Sequence, residues 1–281
     1  MPSADFLSAT FSLFEDGLVD AVEWSFDTLW DTSEFFWLES LIQHYSDGGR
    51  LFGHGVTFSL LSGRWTEGHA EWIEKFKIEC ARRKYVHVSE HFGFTRAGKF
   101  VDNSPLPVPL SKKAVQIGVE RLNLMREICA ATVGLENLGF AFSLDDVKEQ
   151  AEFIATLLND ADAFLLLDLH NAYCQMANFG MQGADFLKLY PLDRVREIHL
   201  SGGAWSHDSN GLPIRRDTHN DVVPEPVFAL FEDALKLCPN IKTVIFERLS
   251  NTIKSAEDEI DFRADFLRIK DLTELHTYAR G

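Results

Sequence analysis

Six short apolar runs in this chain each carry, at or near the C-terminal end, a residue able to bind a metal. Run 50–56 carries His54, run 85–91 carries His91 and run 130–137 carries Glu136. Run 163–171 then carries Asp168 and Asn171, run 195–202 carries His199 and run 243–249 carries Glu247. Taking one candidate per run, with Asp168 for the fourth, successive ligands lie 37, 45, 32, 31 and 48 residues apart. A strand, a helix and two loops fit that interval, so the pattern predicts repeated βα units. In a (β/α)8 TIM barrel the C-terminal strand ends converge on one face, which holds the active site. The expectation is therefore a single (β/α)8 barrel domain over residues 1–281, with a metal site at the C-terminal face of its strands.

The segments between the runs read as helices. Residues 66–83 place Trp72, Phe76 and Cys80 four apart, with charges opposite. Residues 111–131 repeat the pattern through Val115, Val119, Leu122, Met125 and Ile128. Residues 143–158 open with Ser143 and Asp146 at capping-box spacing, and Pro224 and Pro226 stand where a helix over 225–237 tolerates proline. Residues 19–26 supply a further strand and residues 6–13 a weak first one, which brings the strands to eight. The stretches 96–109 and 202–223, rich in Gly, Pro, Asn and Asp, read as long loops after ligand-bearing strands.

A length of 281 residues, 46% of them hydrophobic, suits one barrel with a sizeable core. No apolar run approaches the 18 or so residues of a membrane span, and the acidic N-terminus has no basic region of a secretion signal. Cys80, Cys129, Cys174 and Cys238 are scattered without a CxxC pair, which points to reduced thiols in the cytoplasm. A formal charge of −16 repels phosphate backbones and argues against nucleic acid as a partner.

His54, His91 and Glu136 form the two-histidine, one-carboxylate set that non-heme Fe(II) oxygenases use. Asp168, His199 and Glu247 make a second set. Asn171, Asp217 and His219 make a third, because an extended backbone through RRDTHND would turn Asp217 and His219 the same way. His170 and His207 are further imidazoles nearby. Without thiolates the set does not suit a structural zinc site, and nitrogen with hard oxygen leaves Fe, Mn and Zn open. Arg215 and Arg216, just before the third set, are candidates to bind a substrate carboxylate.

In order, GHGV (53–56), VSEH (88–91), LEN (135–137), LLLDLHN (165–171), EIHLSG (197–202), DTHNDVVPEPV (217–227) and TVIFE (243–247) resemble the multinuclear non-heme iron-dependent oxidative enzymes, which include the methanobactin-biosynthesis oxidase. The resemblance implies a barrel holding two or three irons, mixed Fe(II)/Fe(III), with O2 as cosubstrate. It implies His54, His91 and Glu136 at a first iron, Asp168, His199 and Glu247 at a second with Glu136 bridging, and Asn171, Asp217 and His219 at a third. It further implies cysteine in a ribosomally made carrier peptide as the substrate and a small leader-recognition partner protein. Size and loops are similar to the subgroup that excises the cysteine β-carbon, as formate, in thiaglutamate-type pathways. The chain departs from the pattern at Gly203, where a second histidine is usual, at His170, where Asn is usual, and around EWSFDT (23–28).

Two other readings rest on the same strand-end residues. One is a divalent-metal-dependent barrel isomerase or phosphoesterase, since His, Asp and Glu at strand ends serve those reactions equally well. The other is a non-catalytic peptide-binding barrel subunit, which the intact triad of His54, His91 and Glu136 disfavours.

Overall fold

The computed structural model describes residues 4–30 and 36–280. The strands of the parallel sheet alternate with helices along the chain. In order they are α1 (Ala4–Glu15), β1 (Val22–Trp24), α2 (Phe36–Asp47), β2 (Leu51–Gly55), α3 (Glu67–Arg82), β3 (His87–His91), β4 (Phe94–Ala97), β5 (Phe100–Leu106), α4 (Lys112–Cys129), β6 (Thr132–Glu136), α5 (Leu144–Asp160) and β7 (Phe164–Asp168). There follow α6 (Leu169–Phe179), α7 (Gly183–Leu187), β8 (Val195–Leu200), β9 (Trp205–His207), β10 (Pro213–Arg215), α8 (Glu225–Leu237), β11 (Thr243–Phe246) and α9 (Ala256–Arg280). The described chain falls into two compact units, one over 21–166 and the other over 1–20 with 167–281.

In the unit over 21–166, β1, β2, β3, β6 and β7 pair side by side, all parallel. Strands β2 and β7 are buried along their whole length, as parallel strands covered on both faces must be. Close approach here depends on glycine: a Cβ on Gly134 would meet the Phe164 ring, and one on Gly53 would stand 2.8 Å from Tyr85. The covering helices start where their caps dictate. Ser111 Oγ accepts from Ala114 N, and Ser143 Oγ from Asp146 N. Helix α4 ends on Ala130, whose φ of 52° is left-handed. The stretch 96–109, expected as loop, contains part of the antiparallel hairpin β4–β5.

In the second unit β8 and β11 run parallel, with Glu197 opposite Thr243 and His199 opposite Ile245. The stretch 202–223 contains a second hairpin, β9–β10. Run 163–171 is strand only as far as Asp168. That carboxylate accepts from Asn171 N at 2.5 Å and so caps α6, which makes residues 169–171 helical. Residues 6–13, expected as a weak strand, belong to helix α1. Ala9 and Leu13 are buried against Ile253 and Phe262, and the Phe6 ring meets Phe262 edge-on at 5.6 Å. Spacings of three and four among Phe6, Ala9 and Leu13 favour a helical face over an alternating one. Among the described residues no helix is long and apolar enough to cross a membrane, and all four cysteines are free.

Candidate metal centre

Strand register assembles the first donor group. Parallel pairing sets Ser89 beside His54 and Glu136 beside His91. Each histidine has one ring nitrogen occupied. Ser89 Oγ lies 2.8 Å from His54 Nδ1 and 3.4 Å from the Gly53 carbonyl. With the serine proton on that carbonyl, the serine oxygen accepts from Nδ1–H of His54. In the same way His91 Nδ1 lies 3.3 Å from the Gly55 carbonyl and must donate to it. Both Nε2 lone pairs are thereby turned inward. They lie 3.3 and 3.2 Å from one atom, Glu136 Oε2. Two lone pairs and a carboxylate oxygen converging on one buried point suit a cation, and His54, His91 and Glu136 fit together around a metal ion. Burial works to lower the His91 pKa, but the Glu136 carboxylate and Glu90 outweigh it, and His91 stands above the usual histidine range.

Two acidic residues that sequence reasoning passed over brace this group. Glu90 is buried, accepts from His91 N at 3.1 Å, and lies so close to Gly55 that a Cβ there would stand 2.5 Å from Oε2. Burial pushes its pKa up to about 7. Asp27 accepts from Val56 N, Thr57 N, Thr57 Oγ1 and Trp72 Nε1, and so ties down the chain just beyond His54. Its signal lay in EWSFDT, a segment too short to read as a site. No sequence signal marked Glu90, which alternates with His91 along one strand.

A second group lies in the unit over 167–281. Asp168, His219 and Glu247 can share an ion. His219 Nδ1 lies 3.5 Å from Glu247 Oε2, and His199 Nδ1 lies 3.3 Å from the same oxygen. Glu247, one residue past β11, is fixed by its N–H to the Leu200 carbonyl at 2.9 Å. His219, expected beside Asn171 and Asp217, thus also stands with Asp168 and Glu247. The loop 217–219 is not extended, because His219 has a left-handed φ of 48°. Asp217 Oδ1 lies between two imidazoles, 2.9 Å from His219 Nε2 and 3.0 Å from His170 Nδ1. Burial raises the Asp217 pKa, yet His219 and His170 together hold it below the ordinary carboxylate range. Asn171 is buried in the first turn of α6.

The two arginines differ. Arg215 is buried with its guanidinium on His170, whereas Arg216 is exposed and donates to Ser206 Oγ. His207 is exposed on β9.

Known proteins share the fold and the family of this chain. A UPF0276 protein from Acaryochloris marina (strain MBIC 11017) is 29% identical over 224 residues, which span 74% of this chain and 78% of the relative. The structure of an L-ribulose 3-epimerase superposes with a TM-score of 0.59 at 13% identity, covering 100% of this chain and 93% of that one. A xylose isomerase-like TIM barrel protein from Mycobacterium smegmatis, in complex with magnesium, gives 0.50 at 11% identity over 86% and 80%. At such identities the likeness concerns fold alone, and the fold is (β/α)8-like, with seven parallel strands among the described residues. Residues 34–263 match the family model for the RiPP precursor modification enzymes MbnB/TglH/ChrH, and the chain, with its grouped histidines and carboxylates, belongs to that family.

Proposed function

We propose that this protein is an iron- and O2-dependent oxidase acting on cysteine in a ribosomally synthesised carrier peptide, excising the cysteine β-carbon as formate. One observation carries the metal-dependent part of this reading. The imidazoles of His54 and His91 have their Nδ1 atoms held by Ser89 and the Gly55 carbonyl, and both aim Nε2 at Glu136 Oε2. Membership of a RiPP precursor-modifying family supports the peptide substrate.

In this reading His54, His91 and Glu136 hold one iron. Asp168, His199, His219 and Glu247 hold a second, and Asn171 and Asp217 stand at third-site positions. Iron bound there supplies a centre for thiolate binding and for O2 reduction. The chain's own residues would orient the histidine rings, bury His54, Glu136, Asp168 and His199, and position the peptide. Arg216, exposed beside β9, is placed to meet a peptide carboxylate. The overall change balances without outside electrons, since the excised CH2 and one O2 together make HCOOH. A small partner protein that grips the leader peptide completes the system. The cytoplasm, where Cys80, Cys129, Cys174 and Cys238 stay reduced, is its compartment.

The test is incubation of the iron-loaded protein and its partner with a cysteine carrier peptide and O2. The expected result is a peptide lighter by one CH2, with one formate released per peptide. Loss of two or four hydrogens with the carbon retained would instead indicate heterocycle formation. An unchanged cysteine peptide, with iron and partner present, would favour a metal-dependent isomerase or phosphoesterase.

A further inference from the structure

The chain carries 43 acids against 27 lysines and arginines, yet two stretches at the ends of β2 and β3 contain no acid at all. One is the loop 56–66, which follows β2. The other is 92–101, which follows β3 and forms the first part of the β4–β5 hairpin. Between them they hold Arg64, Arg96 and Lys99, all exposed, and the acids next in sequence are Glu67 and Asp102. None of these three cations pairs with a carboxylate among the described side chains. Unpaired guanidinium groups are ready to take a carboxylate through two parallel hydrogen bonds.

The same edge is apolar, with Trp65 49% exposed, Phe100 39% and Val101 65%. Backbone and hydroxyl contacts fasten the two stretches into one surface. Leu61 N donates to the Gly93 carbonyl at 2.9 Å, and Ser59 Oγ accepts from Thr95 N at 2.8 Å and from Arg96 N at 3.0 Å. Ser62 Oγ donates to the Arg96 carbonyl at 2.6 Å. The Arg96 head lies over the start of α3, where a Cβ on Gly68 would stand 3.2 Å from its Nη1. Trp65 is held in place despite its exposure: its ring stacks on His69 at 5.2 Å, and the Arg121 guanidinium lies 5.5 Å from its centre. A fixed aromatic ring beside unpaired cations binds at little cost in side-chain entropy.

We propose that this edge binds an acidic, apolar stretch of the substrate peptide close to its cysteine. Charge selects the occupant. A nucleic acid would meet the same cations, but its length would also meet a chain of net charge −16, whereas a short acidic stretch needs only the acid-free edge. Position selects the part of the peptide. Strand β2 carries His54 one residue before its end and β3 ends on His91, so the loop and the hairpin begin at the first donor group. A cysteine presented to that group has its neighbours beside this edge. The inference deepens the peptide reading above and rests on it for the nature of the partner.

The experiment measures fluorescence anisotropy of labelled peptides with the full chain, and binding needs neither iron nor turnover. One peptide carries a cysteine flanked by Glu and Phe, a second has Gln in place of each Glu, and a third has Lys there. The acidic peptide should bind, and its affinity should fall as salt is raised. The glutamine peptide should bind less tightly, and the lysine peptide at least about tenfold less. Arg64→Glu, Arg96→Glu and Lys99→Glu combined should reverse the order, so that the lysine peptide binds best, an outcome that loss of structure would not produce. Trp65→Ala should weaken the acidic peptide by about tenfold or more, with the far-ultraviolet circular dichroism unchanged. Equal binding of the three peptides, or an unchanged order in the triple variant, would overturn the inference. So would single-stranded RNA binding more tightly than the acidic peptide, or a dimer of the chain that the triple variant dissolves, since either assigns the edge to another occupant. Binding in the expected order without oxidation of the cysteine, with iron, O2 and the partner present, would sink the oxidase reading and leave this edge a peptide site. Oxidation of all three peptides at equal kcat/KM would keep the oxidase reading and remove this one.

Discussion

Ser89 Oγ stands 2.8 Å from His54 Nδ1, on the neighbouring parallel strand and in register with it. With the serine proton directed to the Gly53 carbonyl, the pair holds His54 in the tautomer whose Nε2 lone pair faces Glu136. A serine in the middle of β3 thus orients the histidine on the strand beside it.

Ser89→Ala removes that acceptor. Affinity for the ion at His54, His91 and Glu136 should fall by about 10–100-fold, with the far-ultraviolet circular dichroism unchanged. Chelator competition against Fe(II) measures it, and wild-type affinity in the variant would show that Ser89 does not orient the ring.

Glu136→Ala leaves His54 and His91 without the charge on which both Nε2 atoms converge. Metal analysis of anaerobically purified protein should show at least one ion per chain missing. His91, held up largely by that carboxylate against its burial, should titrate lower in the metal-free variant, which ring-proton NMR can follow.

Asp27→Asn replaces an acceptor-only group with an amide in a site that receives four donors. At least one donor is left facing an NH2, at a cost of about 1–3 kcal/mol. Urea denaturation should register the loss. An unchanged midpoint would mean that the loop after His54 is anchored by other contacts.

His69 gives the pH dependence a defined sign. Burial, with help from Arg121, lowers its pKa to about 4, and its Nδ1 accepts from Thr66 N at the start of α3. Folding therefore favours the neutral ring. Its contribution is fully present above the unfolded value of about 6.5 and is lost as pH falls from there towards 4, amounting to at most about 3 kcal/mol. His69→Gln, which keeps an acceptor but does not titrate, should flatten the decline in urea midpoint between pH 6.5 and 4. Parallel curves for the two proteins would refute this role.

The positions of His54, His91, Glu136, His199 and Glu247 were legible in the amino-acid order. In a βα repeat a polar residue closing an apolar run lies at a strand's C-terminal end, wherever the chain later places that strand. The helices over 66–83, 111–131, 143–158 and 225–237 were legible for a similar reason, since spacing and caps act within one or two turns. Residues 6–13 were not, because a short apolar run serves a strand or a helix alike, and packing on Ile253 and Phe262 made it α1. Run 163–171 was cut at Asp168 by that side chain's bond to Asn171 N, a local choice that the apolar pattern conceals. Tertiary structure alone decided the partners. Ser89 meets His54 through strand register, Arg215 turns to His170 because Asn178 clasps its backbone, and His219 reaches Glu247 through a left-handed φ. Hydrogen-bond direction depends on which atoms arrive within about 3 Å, and residues 35 to 47 positions apart in the chain are brought that close only by the packed fold.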